Sequence, residues 1–173
     1  MNSSTPVIYS DGTKLYDELG KTYIKHKHGL FILAPSGVGK THFVRSQYQK
    51  HWIDGDDLYP KANADLTNHD WVYDSELVEE INIKSDVITM EARKQGFWVL
   101  GASNSFLKPD AIVIPEWEDH VKLIMHRDAG RSDGGATQAD LDSVLRHREI
   151  ILRWEQDGVP RFHSIEDAVS TIT

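Results

Sequence analysis

The apolar positions of this chain alternate between two rhythms. Short, wholly apolar runs bounded by Gly, Pro or acid occur at Gly29-Leu30-Phe31-Ile32-Leu33-Ala34, at Trp52-Ile53, at Phe97-Trp98-Val99-Leu100 and at Ala111-Ile112-Val113-Ile114. Runs of this kind predict strands buried on both faces, as in a parallel sheet. Between them the spacing becomes helical. Leu15, Leu19 and Ile24 form one stripe behind a candidate cap at Asp11 or Thr13, and Gly29 ends it. Helices are also predicted over 41–49, from Asp74 or Ser75 through Leu77, Val78, Ile81, Val87, Ile88 and Met90 up to Gly96, over 117–127, over 138–156 and over 165–170. Pro160 leads into a last strand at Arg161-Phe162-His163.

Strands alternating with helices require crossover connections. The expected class is therefore α/β, with three layers: a mainly parallel, roughly five-stranded sheet and helices on both faces. A length of 173 residues suits one domain, 1–173. Within it, the polar residues 1–12 are expected to be loosely ordered. The aperiodic stretch 58–73 reads as a loop or lid, and 129–135, rich in glycine, reads as a flexible turn.

Between the first strand and its helix stands the stretch APSGVGKT, Ala34 to Thr41. A loop that cradles phosphate turns backbone N–H groups inward, and needs glycine where a Cβ would block the approach or where φ is positive. Gly37 and Gly39 stand at such places. Lys40 can reach the β and γ phosphates of a nucleotide, the Thr41 hydroxyl can ligate magnesium, and the following helix adds the positive end of its dipole. Pro35, Ser36 and Val38 complete the loop. Ala34 replaces the first glycine of the usual pattern, and a small residue serves at the point where the chain leaves the strand.

APSGVGKT resembles the loop of small P-loop kinases of the nucleoside monophosphate kinase kind, particularly the Pro-Ser-Gly-Val-Gly-Lys-Thr/Ser form of guanylate kinases. Trp52-Ile53-Asp54-Gly55-Asp56-Asp57 is similar to the acceptor side of gluconate kinases and adenylylsulfate kinases. There a carboxylate ending the second strand faces the substrate hydroxyl. The resemblance implies a kinase using ATP and Mg2+. It makes Asp54 the base or magnesium partner and Asp56 a substrate contact, with 58–73 as the acceptor-binding segment. Trp71 and Tyr73 fall in that segment and could stack on a base or sugar, or pack in the core. Arg127 and Arg131 are similar in placement to the lid arginines of such kinases, which stabilise the transferring charge, and 128–137 is the corresponding lid. Arg146, Arg148 and Arg153 are weaker candidates for that role. Arg93, near the end of the third helix, is a candidate contact for an anionic acceptor, although cations also favour helix C-termini for their own sake.

Composition narrows the acceptor. A formal charge of -8 argues against a general polyanion-binding surface, while a local basic cleft remains compatible with it. A small metabolite or nucleotide is the first expectation. A hydroxyl on nucleic acid, at a polynucleotide end or on a hydroxymethylated base of phage-type modified DNA, is the alternative. A nucleotide-binding switch or assembly protein without an acceptor is the reading from a different class, and the Asp54-Gly55-Asp56 cluster speaks against it. No Asn-Lys-x-Asp guanine-reading motif occurs, and no run of four apolar residues ends in acid as the magnesium strand of many ATPases does: Phe97-Trp98-Val99-Leu100 ends in Gly101. The absence of cysteine excludes disulfides, thiolate metal sites and cysteine nucleophiles. With no apolar run of about 18 residues and no apolar signal core, no membrane partner is expected and the location expected is cytoplasmic. Neither pattern nor composition assigns an oligomeric state.

Overall fold

The computed structural model describes residues 15–62, 74–102, 104–129 and 135–173. Their architecture is α/β. A parallel sheet of five strands has the order β2-β3-β1-β4-β5, with β1 at Leu30–Leu33, β2 at Trp52–Asp54, β3 at Trp98–Gly101, β4 at Ala111–Val113 and β5 at Arg161–Phe162. The helices among the described residues are α1 Leu15–Thr22, α2 Lys40–Ser46, α3 Ser75–Lys94, α4 Trp117–Asp128, α5 Gln138–Leu152 and α6 Ile165–Ile172. Every strand expected from the apolar runs is present, because segments this apolar lose least when both faces are covered. None of the helices described is long and apolar enough to cross a membrane.

Contacts gather the chain into two compact units. One holds the chain up to Phe31 together with Ser46–Leu107, and the other holds Ile32–Arg45 together with Lys108–Thr173.

In the first unit β2 pairs with β3 in the register Trp52 to Trp98 and Asp54 to Leu100. Helix α1 buries Tyr16 and Leu19, and it ends two residues before Ile24, whose N–H is instead donated to the Lys50 carbonyl at 2.9 Å. Asp74 caps α3, accepting from the N–H groups of Glu76 and Leu77 at 3.1 Å each. The buried face of α3 runs through Ile81, Ser85, Ile88 and Ala92, the spacing of a 3.6-residue turn, so the apolar Leu77 and Val87 fall outside it and are exposed. Asp86, 1% exposed, faces inward as well, and its Oδ2 accepts from the backbone N–H groups of Ser105, Phe106 and Leu107 at 2.7, 2.6 and 2.9 Å. Burial pushes this carboxyl upward in pKa, and the amide bonds, which favour the charged form, pull against it. His26 lies half-buried and stacked on Trp98, with ring centroids 3.5 Å apart.

In the second unit β4 lies between β1 and β5, with Ile32 opposite Ala111 and Ile112 opposite Arg161. Its residues are wholly buried. Thr137 opens α5 with a capping box: Asp140 N–H donates to Thr137 Oγ1 at 3.2 Å and Thr137 N–H donates to Asp140 Oδ2 at 2.8 Å. The helix expected over 138–156 changes at Arg153 to a 3-10 turn ending at Asp157. Ser164 caps α6 through the Asp167 N–H at 3.1 Å.

Candidate phosphate-binding site

The loop from Ala34 to Gly39 joins β1 to α2, and it lies wholly within the second unit. Gly37 and Gly39 both have positive φ, +85° and +91°, a region that side-chain-bearing residues rarely adopt. They differ in their surroundings. A Cβ on Gly37 would lie 2.7 Å from Cγ1 of Ile124, whereas one on Gly39 would meet no atom within 4 Å. The first glycine is thus required by the close approach of α4 as well as by its backbone, the second by backbone alone.

Lys40 begins α2 and is 7% exposed, with its Nζ donating to the Pro35 carbonyl at 2.9 Å. The ammonium is folded back over the loop, where a bound anion could exchange with the carbonyl as its partner. Thr41 follows it and is half-buried. From the last turn of α4, Arg127 Nη1 donates to Ser36 Oγ at 3.0 Å, so one of the arginines expected for a lid rests on the loop.

A second contact was not foreseen. His120, fully buried on α4, has its Nε2 2.7 Å from the Ser36 carbonyl oxygen, and its Nδ1 2.9 Å from Nη1 of Arg148 on α5. Arg148, 7% exposed, also donates to the Pro115 carbonyl at 2.8 Å and lies over the Trp117 ring at 5.3 Å. Burial lowers the His120 pKa; the bond to Ser36 opposes this, while Arg148, Lys40 and Arg127 add to it by repulsion. Two of these cations, Lys40 and Arg127, also bond to the loop itself, at the Pro35 carbonyl and Ser36 Oγ. Burial likewise lowers Arg148, with Arg161 reinforcing the effect and Glu116 opposing it. The signal for both residues was present in the helical stripes. His120 stands four before the buried Ile124, and Arg148 stands between the buried Val144 and Ile151. A polar group on a buried stripe requires a partner.

Beside the loop a cavity of about 500 Å³ is lined by Val38, Gly39 and His42, by Pro115 between β4 and α4, by Asp119 in the first turn of α4, and by His163 after β5. Its walls combine apolar surface with hydrogen-bonding groups, as small-molecule sites do.

The other expected residues lie elsewhere. Asp54 ends β2 in the first unit, 5% exposed, and its Oδ1 accepts the Asp56 N–H at 3.0 Å, turning the chain into the 3-10 stretch Gly55–Ala62. Asp56 is half-buried in that turn. Tyr23 in the same unit has its pKa raised by burial first, then by Asp57 and Asp54. Arg93 is half-buried in the last turn of α3. Trp71, Tyr73 and Arg131 lie outside the described residues, as do 1–12, most of 58–73 and the centre of the expected lid. Among the described residues no group of three or more His, Cys, Asp or Glu side chains is arranged to hold a metal. Comparison with known families, with curated proteins and with solved structures gives no match.

Proposed function

We propose that this chain is an ATP- and magnesium-dependent phosphotransferase that moves a γ-phosphoryl group to a hydroxyl or phosphate of a small metabolite or nucleotide. The observation that carries the reading is the conformation of the loop: positive φ at Gly37 and Gly39, followed by the buried Lys40. Glycines at positive φ, with Lys40 and Arg127 held against the loop, suit a triphosphate, and the adjoining cavity is large enough for its nucleoside.

In this reading Lys40 leaves the Pro35 carbonyl for the β and γ phosphate oxygens, and Arg127 approaches the transferring group. The acceptor oxygen forms its bond to the γ phosphorus as the bond to the β–γ bridging oxygen breaks. ADP leaves with the electron pair, and the acceptor proton passes to a carboxylate. Asp54 is the candidate for that base on the sequence pattern. Thr41 would offer its hydroxyl to magnesium, with phosphate and water as the ion's expected other partners. When bound, the ion neutralises charge on the β and γ oxygens.

The test is incubation with γ-labelled ATP and a panel of sugars, nucleosides, nucleotides and DNAs. Label should move to one small-molecule class, and Lys40→Ala should stop the transfer while leaving the fold intact. Salt-sensitive labelling of DNA would move the acceptor to nucleic acid. Slow hydrolysis without acceptor dependence would replace the kinase reading with that of a switch, and full turnover by Lys40→Ala would overturn both.

A further inference from the structure

The hydrogen bonds around His120 fix its proton. Arginine has no acceptor, so Nδ1 must receive the hydrogen from Arg148; a carbonyl cannot donate, so Nε2 must carry the hydrogen given to Ser36. Both bonds are satisfied by one neutral tautomer, Nε2–H. A second proton on Nδ1 would face the guanidinium at 2.9 Å, in a residue with no exposed surface. Arg148 is itself held by the Pro115 carbonyl and the Trp117 ring.

What this arrangement grips is one peptide unit. The Ser36 carbonyl and the Gly37 N–H belong to the same planar group, and no peptide here is cis, so the two point in opposite directions. That peptide is bordered by a glycine, whose freedom on both sides of φ zero makes rotation of the unit inexpensive. A rotated unit would exchange the positions of a phosphate-binding N–H and a phosphate-repelling carbonyl. Something must therefore hold it.

We propose that His120, set in its Nε2–H tautomer by Arg148, is a positioning residue that locks the Ser36–Gly37 peptide and thereby sets the affinity of the loop for triphosphate. This rests on the triphosphate reading above. It adds an Arg-His pair, 28 residues apart, to the loop that does the binding. The pair acts through Ser36 and does not touch the phosphate.

The experiment compares wild type with His120→Leu, His120→Gln and Arg148→Met. Binding of Mg-ATP and of Mg-tripolyphosphate, which has no base to occupy the cavity, is measured by calorimetry, with thermal unfolding alongside. Imidazole nitrogen spectra report the tautomer. Loss of the bond in His120→Leu should weaken tripolyphosphate about tenfold. His120→Gln, which keeps a donor at the same reach, should stay within about threefold of wild type. In Arg148→Met only the Ser36 carbonyl still selects Nε2–H, so the His120 spectrum should show a share of Nδ1–H that wild type lacks. A merely structural His120 would lower the unfolding temperature of both His120 variants without separating their affinities, and that result overturns the proposal. So does wild-type affinity in a folded His120→Leu, or an Nδ1–H tautomer in wild type. If His120→Leu does not fold, His120→Gln and Arg148→Met decide: an affinity loss of tenfold or more in the former, or a pure Nε2–H spectrum in the latter, overturns it. Failure of wild type to bind either ligand overturns the triphosphate reading itself, and this inference with it.

Discussion

Replacing Gly37 and Gly39 one at a time by Ala separates two costs that the loop combines. Each alanine must adopt positive φ, +85° or +91°, which costs about 1–2 kcal/mol for a residue with a Cβ. At Gly39 nothing stands within 4 Å of the new methyl, so that is the whole expected effect. At Gly37 the methyl would sit 2.7 Å from Ile124 Cγ1, against an ordinary contact of about 3.5–4.0 Å. Ile124 has no exposed surface and cannot swing aside, so overpacking adds about 1–3 kcal/mol. Urea denaturation of the two variants should therefore place Gly37→Ala below Gly39→Ala by about 1–3 kcal/mol, with equal slopes. A double-mutant cycle sharpens the test. Ile124→Ala removes the opposing atom, and it should be less damaging in the Gly37→Ala background than in wild type. Equal stability of the two single variants, or strict additivity in the cycle, would refute the steric argument.

Asp86→Ala would strip three inward-facing amides of their acceptor and should destabilise by about 3–5 kcal/mol in chemical denaturation, with Asp86→Asn recovering part of the loss. Thr137→Ala removes the α5 capping box and should cost about 1 kcal/mol, measured in the same way. Stability should fall in acid: His120 and His26 both have lowered pKa values in the folded chain, so below about pH 6.5 the unfolded chain binds more protons. The loss begins near the unfolded pKa and grows until the folded pKa is reached. Denaturation midpoints at pH 7.5 and 5.5 test this, and His120→Gln should show a smaller difference between them; an unchanged difference would remove His120 from the explanation.

The strands were legible because the signal for them is local. Leu30-Phe31-Ile32-Leu33 and Trp52-Ile53 are apolar runs suited to a covered sheet, and they form β1 and most of β2. The long helix α3 was legible for the same reason, together with the cap that starts it at Asp74. Its buried face was less so. Leu77 and Val87 are apolar yet exposed, while Asp86 is charged yet buried, because what covers a helix depends on which elements pack against it. His26 shows the same limit, since the ring beneath it, Trp98, comes from a strand 72 residues away in the sequence.

The chain by itself determined a strand, a loop with glycines at two positions of positive φ, and a helix beginning Lys40-Thr41, because backbone conformation and burial of apolar runs are written in neighbouring residues. Only the tertiary structure decided what leans on that loop. Ser36 meets His120 across 84 residues and Arg127 across 91, and Arg148 reaches the first of these from another helix. Such bonds follow from how helices pack, not from spacing along the chain. A histidine and an arginine on buried helical stripes announce that each must find a partner, and the fold supplies which one.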